Sequence, residues 1–321
     1  MQESGDELNG LGGYFDPALY NANAGTFLDP GTYKLVNGVC YVYTDCAPEG
    51  IVPNRGPFAL PRINFAWDLD GEGNNVVRGG YGMYYNRNMG NVEYDNTLRL
   101  APNAYQVGTD FWAGGGYGAG VGLTYDTIRE ATLANRIGSL AINTLDTDTK
   151  WPQTHSYSLS YARRIFYNQV IEGSYVGTKG RQLVSRINGN VMPYGVMMSG
   201  TFNGINLADP VYRYAVASDG ANLSTFRKFN ALNGITDYNY DGITNYDSFQ
   251  LTLSRQTGRR LQYFLAYTYA KNRGTLGGEY SIIDPYDPGR TYGVLASDRS
   301  HTLNVSWNAF LPDGAKGSLD N

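Results

Sequence analysis

The chain has 321 residues, with 25 Lys and Arg against 29 Asp and Glu, and a formal net charge of −4. A nucleic-acid-binding module carries a basic excess, so this balance predicts no nucleic-acid partner. Aromatic residues make up 14% of the chain and charged residues only 17%, which excludes a disordered polymer. The 41 glycines and 28 tyrosines favour strands and turns over helices.

Hydropathy excludes a helical membrane protein, because no stretch approaches the roughly 18 consecutive apolar residues of a spanning helix. The mean hydropathy of −0.38 is typical of a soluble protein, yet a transmembrane β-barrel also scores low because only alternate residues contact lipid. Residues 1–7 lack the basic stretch and apolar core of a signal peptide. The sequence therefore predicts either a cytosolic protein or an internal piece of a longer one.

The two cysteines, Cys40 and Cys46, lie in a polar segment without a neighbouring His or a third Cys, so they lack the ligand count of a zinc site. We predict a disulfide that pins a loop in an oxidising compartment, with free thiols as the alternative. Residues 1–60 are assigned to an extracellular loop region.

Alternation of apolar and polar residues predicts seven strands, each of about the ten residues that cross a bilayer at a tilt. They are predicted at about 61–69, 76–85, 154–165, 169–176, 246–256, 261–270 and 300–310. Residues 315–321 follow as a truncated end.

The two sides of these strands differ in chemistry. One side carries Ser, Thr, Asn, Gln and Arg, which suit a wet lumen, and the other carries apolar and aromatic residues with tyrosines near the strand ends. The residues predicted to face lipid are Phe65, Trp67, Tyr81, Met83, Tyr157, Leu159, Tyr161, Phe249, Leu251, Leu253, Tyr263, Leu265, Tyr267, Leu303, Val305 and Trp307. A soluble β-sandwich also alternates, although its inner faces favour Val, Ile and Leu over repeated Tyr.

Short and long connections alternate along the chain. Short links lie at 70–75, 166–168 and 257–260, whereas long ones follow Tyr85, Val176 and Ala270. Soluble domains rarely hold structureless loops beyond about 12–15 residues, but outer-membrane barrels combine tight periplasmic turns with large extracellular loops. We therefore predict an all-β, antiparallel transmembrane β-barrel segment over 61–314. Seven strands do not close a single-chain barrel, so the barrel is predicted to be incomplete.

Several of these segments resemble one family. Residues 61–68, then 71–73 and 77–82, are similar to the "PRxGFAYD…GDGKTVVRGGYG" stretch of Oar-like TonB-dependent receptors. Further similar segments follow in the family's order, at 174–180, 267–271, 297–301 and 311–314.

The resemblance implies a Gram-negative outer membrane and energised uptake of a large, scarce solute, whose identity the sequence does not indicate. It implies membrane lipid as a partner, and TonB acting through a plug domain. Family members carry a signal peptide, an N-terminal β-domain and a plug, none of which is visible here, so we expect an internal fragment of the barrel wall.

One metal site is suggested by the sequence. Asp237, Asn239 and Asp241, followed by Gly242, match the D-x-N-x-D-G opening of a calcium loop. The twelfth position is Ser248 instead of a bidentate Glu, so weak Ca²⁺ binding and a solvated turn both stay open. No other cofactor is predicted.

No enzymatic activity is predicted, since no nucleophile–base pair or metal cluster appears. The only histidines, His155 and His301, are isolated, and we expect each to make a structural hydrogen bond. The glycine-rich stretch 114–122 lacks the Lys-Ser/Thr ending of a phosphate loop, and 127–130 resembles a helix capping box. Two alternatives to a transporter stay open: a passive porin or surface adhesin, and a soluble all-β carbohydrate-binding domain.

Overall fold

Strands dominate the part of the chain that the computed structural model describes. That part comprises residues 12–42, 44, 46, 57–86, 100, 142–146, 150–194, 201–202, 205–206, 227–230, 232, 234–256, 261–276 and 282–310. The strands are β1 (Gly13–Phe15), β2 (Phe27–Leu28), β3 (Leu35–Val36), β4 (Val39–Tyr41), β5 (Arg62–Asp68), β6 (Asn75–Tyr85), β7 (Ile142–Leu145), β8 (Gln153–Ile165), β9 (Gln169–Asn188), β10 (Thr201–Phe202), β11 (Ile205–Asn206), β12 (Ile235–Arg255), β13 (Leu261–Gly274), β14 (Ile282–Ile283), β15 (Gly293–Val294) and β16 (His301–Ala309). Short 3₁₀ turns lie at Pro17–Leu19, Phe166–Asn168 and Pro288–Thr291. None of the helices in these ranges has the length and apolarity to cross a membrane.

Seven of these strands form one antiparallel sheet in the order β5-β6-β8-β9-β12-β13-β16. Long strands that follow one another along the chain are neighbours in the sheet, so the connectivity is up-and-down. Within the described ranges β5 pairs only with β6, and β16 only with β13, so the sheet is open at both edges. This all-β, antiparallel and unclosed wall is the fold class that the sequence predicts.

The register keeps the apolar positions of neighbouring strands in phase. Residues directly opposite each other in an antiparallel pair share a face of the sheet. Along each strand, every second residue lies on that same face. One row across the sheet runs Phe65, Gly79, Leu159, Tyr175, Phe249, Tyr269 and His301. The sheet therefore has one apolar face and one polar face.

Two strands are longer than predicted. β9 continues past Val176 to Asn188, and β12 begins at Ile235 instead of Tyr246. Their outer halves pair with each other and, in parallel, with β14 and β7. Alternation is lost here because the β9–β12 register shifts on both sides of Gly242. A Cβ on Gly242 would lie 2.3 Å from Leu276 Cδ1 and 2.8 Å from the Leu183 carbonyl oxygen, so only glycine fits this irregularity.

A small hydrophobic core sits on this extension, at the end of the sheet opposite the short links. It is built from Phe15, Leu28, Leu35, Tyr41, Leu100, Ile142, Phe229, Leu232 and Ile235. We call residues 12–42, together with 142–146 and the described residues between 227 and 235, the cap. The segment predicted as an extracellular loop thus contributes two short antiparallel pairs, β1–β4 and β2–β3, and side chains to a core.

One buried asparagine ties the cap to β9. Asn190 is fully buried, and its Nδ2 donates hydrogen bonds to the carbonyl oxygens of Phe229 and Leu232, both at 3.0 Å. Its Oδ1 accepts from the Phe229 N–H at 2.9 Å. A single side chain therefore satisfies three backbone groups of the segment that carries Leu232.

We predict that Asn190→Ala destabilises the cap by roughly 2–4 kcal/mol, since it leaves buried backbone groups without partners. Hydrogen–deuterium exchange of 227–235 should accelerate, whereas exchange in β8 and β13 should not change. Asn304→Ala, at an exposed position of β16, is the matched control. Equal exchange in the two variants would contradict the assigned role.

Candidate functional site

The apolar face of the sheet is exposed over every long strand. Trp67 is 65% exposed, Leu159 54% and Val305 56%. Soluble monomers rarely expose a contiguous apolar patch above a few hundred Å². Within the described ranges no second sheet packs over these side chains. The exposed apolar face forms a band across the sheet. From His301 to Ala309 the strand is about 26 Å long, at roughly 3.3 Å per residue. At the usual barrel tilt of about 35–45°, this length covers roughly 20 Å of the roughly 25 Å apolar height of an outer-membrane barrel.

All residues predicted to face lipid lie on this face. Most of them are exposed, whereas Met83, Tyr157, Leu253, Tyr263 and Leu265 are partly covered by their neighbours. Ile63, Tyr175 and Tyr269, which the alternation also puts on the apolar side of their strands, lie on the same face and are 68%, 45% and 43% exposed. The alternation around Tyr175 is less regular than in the other strands, because Gly173 and Gly177 occupy the positions two residues away on either side.

Tyrosine–histidine pairs mark the extracellular edge of the band. A hydrogen bond joins Tyr81 Oη and His155 Nδ1 at 2.7 Å, and another joins Tyr267 Oη and His301 Nδ1 at 2.8 Å. Both histidines therefore make the expected structural hydrogen bond. Amphipathic rings with a polar tip are typical of the membrane–water interface.

A carboxylate is held on the same face, next to these pairs. Tyr157, Gly177 and Asp247 are opposite one another on β8, β9 and β12. A Cβ on Gly177 would lie 2.2 Å from the Tyr157 ring, so glycine lets this ring cross β9. The Tyr157 hydroxyl then donates to Asp247 Oδ1 at 3.0 Å, and the Tyr175 hydroxyl donates to the same oxygen at 2.6 Å.

The polar face carries a recess of about 560 Å³ beside the short links. Its lining includes Arg78, Arg164, Glu172 and Ser254. Arg78 Nη1 lies 3.9 Å from Glu172 Oε2, and both side chains remain open to solvent. A solvent-exposed ion pair of this kind contributes at most about 1 kcal/mol to stability. Because so little is lost when the pair separates, both charges are available to a polar segment that enters the recess.

The predicted calcium-loop residues lie on strand β12 and not in a turn. Asp237, Asn239 and Asp241 occupy alternate positions of extended backbone, and the Ser185 hydroxyl donates to Asp241 Oδ1 at 2.5 Å. The prediction of a strand start at Tyr246 is therefore wrong, and Gly242 serves a strand irregularity and not a loop. The part of the chain with described positions holds no group of three or more His, Cys, Asp or Glu arranged for a metal. Calcium binding stays a prediction.

Asp237 has an unusual electrostatic environment. Burial, together with the neighbouring carboxylates of Asp146 and Asp241, raises its pKa to about 7. Asp146 follows β7, whose parallel pairing with β12 places it beside this part of the strand.

Cys40 and Cys46 form a disulfide, with a Cα–Cα distance of 5.9 Å. Cys40 lies on β4 and is fully buried, so the bond fixes Cys46, which follows the N-terminal part of the cap, to that part. The glycine-rich stretch 114–122, the capping box at 127–130 and the similar segment at 311–314 lie outside the described residues.

An unclosed antiparallel wall with an exposed apolar face, a polar opposite face and tight links at one end is part of a transmembrane β-barrel. The profile of the family described as "Outer membrane beta barrel domain" matches residues 3–320. The chain belongs to this family and is located in the cell outer membrane. The soluble carbohydrate-binding alternative is therefore wrong.

Solved structures show similarity at low identity. The outer membrane transporter YddB from Escherichia coli is 15% identical with a TM-score of 0.40, over 77% of this chain and 26% of YddB. The siderophore receptor PirA from Pseudomonas aeruginosa is 13% identical with a TM-score of 0.30, over 66% of this chain and 28% of PirA. The chain thus spans about a quarter of the length of each. No curated protein matches it.

Adjacent arginine substitutions distinguish the two faces. We predict that Leu251→Arg on the apolar face destabilises the membrane-inserted protein by roughly 2–4 kcal/mol, whereas Thr252→Arg on the polar face costs less than about 1 kcal/mol. Urea titration in phospholipid vesicles, followed by tryptophan fluorescence, measures both. Equal losses would mean that the two residues share one environment.

The stability of the cap should depend on pH through Asp237. Its folded-state pKa of about 7 exceeds the unfolded value near 3.9, so the folded state binds the proton more strongly. The stability that it contributes is therefore complete below about pH 4 and is lost as the pH rises through 7.

We predict that Asp237→Asn stabilises the cap at pH 8 by roughly 2–4 kcal/mol and flattens this pH dependence. Hydrogen–deuterium exchange of β7 and of the outer half of β12, corrected for the pH dependence of the intrinsic exchange rates, measures the stability of both variants at each pH. Asp287→Asn, at an exposed position, is the control. A wild-type cap that becomes more stable from pH 5 to pH 8 would contradict the prediction.

Proposed function

We propose that the chain is barrel wall of an Oar-like TonB-dependent receptor, which binds a large, scarce solute and takes it up with energy supplied through TonB. The observation that carries this proposal is the order of the family-like segments within one sheet. Residues 61–68 and 77–82 form the β5–β6 pair, 174–180 lies on β9, 267–271 lies on β13, and 297–301 leads into β16.

The two ends of the wall fit such a receptor. The cap and the β9–β12 extension stand at the extracellular end, where a solute first meets the protein. The polar face lines a wet path, and its recess near the short links presents Arg78 and Glu172 to a plug domain. An outer-membrane barrel of one chain has an even number of strands from 8 upward, so the open edges at β5 and β16 call for further strands.

We also propose that the chain has no enzymatic activity and binds no nucleic acid, in keeping with its net charge of −4. The alternative transport class is a passive porin, and the alternative binding class is a surface adhesin. A porin and an adhesin would share the barrel wall with the proposed receptor. Both differ from the receptor because TonB does not engage them.

Binding of TonB is the test. The full-length protein, purified from outer membranes in detergent, should bind the periplasmic domain of TonB in biolayer interferometry. A matched variant without its plug should not bind, and in liposomes it should conduct small solutes that the intact protein excludes. Absence of TonB binding together with passive conduction by the intact protein would identify a porin. Absence of both would identify an adhesin.

A further inference from the structure

The apolar face ends, on its extracellular side, in a row of polar residues whose placement follows from the register. Asn245 on β12 is opposite Lys179 on β9 and opposite Arg273 on β13. These three residues share the face of Phe249 and Leu251, because each lies an even number of positions from that row. Two cations therefore flank one amide at the outer edge of the lipid-facing band. They lie about 10 Å apart, since strands are spaced at roughly 4.8 Å.

A third cation joins them. The Arg181 guanidinium donates from Nη2 to Asn245 Oδ1 at 2.9 Å and from Nη1 to the Thr244 carbonyl oxygen at 3.1 Å. Asn245 Nδ2 donates in turn to the Tyr292 hydroxyl at 2.9 Å. These bonds fix the Asn245 amide and the Arg181 guanidinium. We call Lys179, Arg181, Asn245 and Arg273 together the rim patch.

The surrounding charges leave the rim patch positive. In the next row toward the membrane, Asp247 is opposite Lys271, and its carboxylate already accepts two tyrosine hydroxyls. Asp298 Oδ2 lies 4.0 Å from Lys271 Nζ. Hydrogen bonds from the Asn272 N–H and the Ser300 hydroxyl, with the charges of Lys271 and Arg273, lower the Asp298 pKa. Among the residues with described positions in and beside these two rows, four basic side chains thus face two carboxylates.

The two outer cations are accessible. Lys179 and Arg273 are both exposed. Among the residues with described positions, no carboxylate oxygen lies within 4.0 Å of the charged groups of Lys179, Arg181 or Arg273. A solute in the lumen does not meet this patch, because it lies on the opposite face of the wall. The available occupant is a molecule of the bilayer itself.

We propose that the rim patch binds the phosphate groups of a phosphorylated glycolipid in the outer leaflet of the membrane. Its acyl chains would cover the band that contains Phe249 and Leu251, while its phosphates meet Lys179 and Arg273 at headgroup level. The charge complements phosphate, and the patch continues directly into the lipid-facing surface. The bound lipid would fix the depth of the wall in the membrane.

Diphosphoryl lipid A is the probe. Its binding to the full-length protein in non-ionic detergent is measured by microscale thermophoresis at 50 mM NaCl. We expect Lys179→Gln/Arg273→Gln to weaken binding about 30-fold, since each cation at an anionic lipid surface contributes about 1 kcal/mol and each 1.4 kcal/mol is a factor of ten. Lys34→Gln/Lys228→Gln removes two charges from the cap and should leave binding unchanged.

Three further arms keep the proposal open to refutation even if the double variant does not fold. Wild-type binding should weaken at 0.5 M NaCl, dephosphorylated lipid A should bind at least tenfold more weakly, and 20 mM inorganic phosphate should not displace lipid A. Equal binding of the two lipids, or an unchanged affinity of the folded double variant, would overturn the proposal. Displacement by inorganic phosphate would overturn the assignment to a lipid.

Discussion

Backbone hydrogen bonding in a medium without water is the constraint on which the spanning part of this protein depends. Inside a bilayer each N–H and C=O must find a partner in the protein, and antiparallel ladders provide one. β12 pairs along its inner half with β9 on one side and β13 on the other, so its polar backbone is satisfied where lipid covers it. Because side chains alternate, the same ladders decide which residues meet lipid and which meet water. A slip of one residue would put Thr252 in lipid and Leu251 in the lumen.

The membrane part and the cap are stabilised in different ways. Both hydrophobic clusters among the described residues lie in the cap or the strand extensions, around Leu232 and around Leu145. The spanning sheet shows no such cluster in these ranges, because its apolar side chains are covered by lipid and do not need one another. Outside the membrane, water surrounds the chain, so the cap requires a buried core, a disulfide and the Asn190 hydrogen bonds. The long β9–β12 pair connects the two environments without a break in the ladder.

The same alternation gives the wall two chemically separate surfaces with different partners. The polar face and its recess serve the solute path and the plug in the proposed receptor. The apolar face ends in tyrosine–histidine pairs and the rim patch, which are placed to meet lipid headgroups. Glycine contributes at the edge, since Gly177 lets the Tyr157 ring cross a strand and hold Asp247. In the proposed receptor, solute capture and membrane anchoring would therefore depend on different residues of the same strands.

The alternation of residues along the chain is enough to specify the spanning strands and the direction of their side chains. Lipid and lumen water act on each residue separately, so a period of two was enough to place Leu159, Leu251 and Val305. The cap, the strand extensions and the rim patch were decided by folding in three dimensions. Phe15 meets Thr144 and Asn190 meets Phe229 across long stretches of chain, and no local period records such contacts. The D-x-N-x-D-G pattern was likewise ambiguous, because glycine suits both a loop and a strand irregularity. Only the packing of Leu276 and Leu183 against Gly242 distinguishes the two structures.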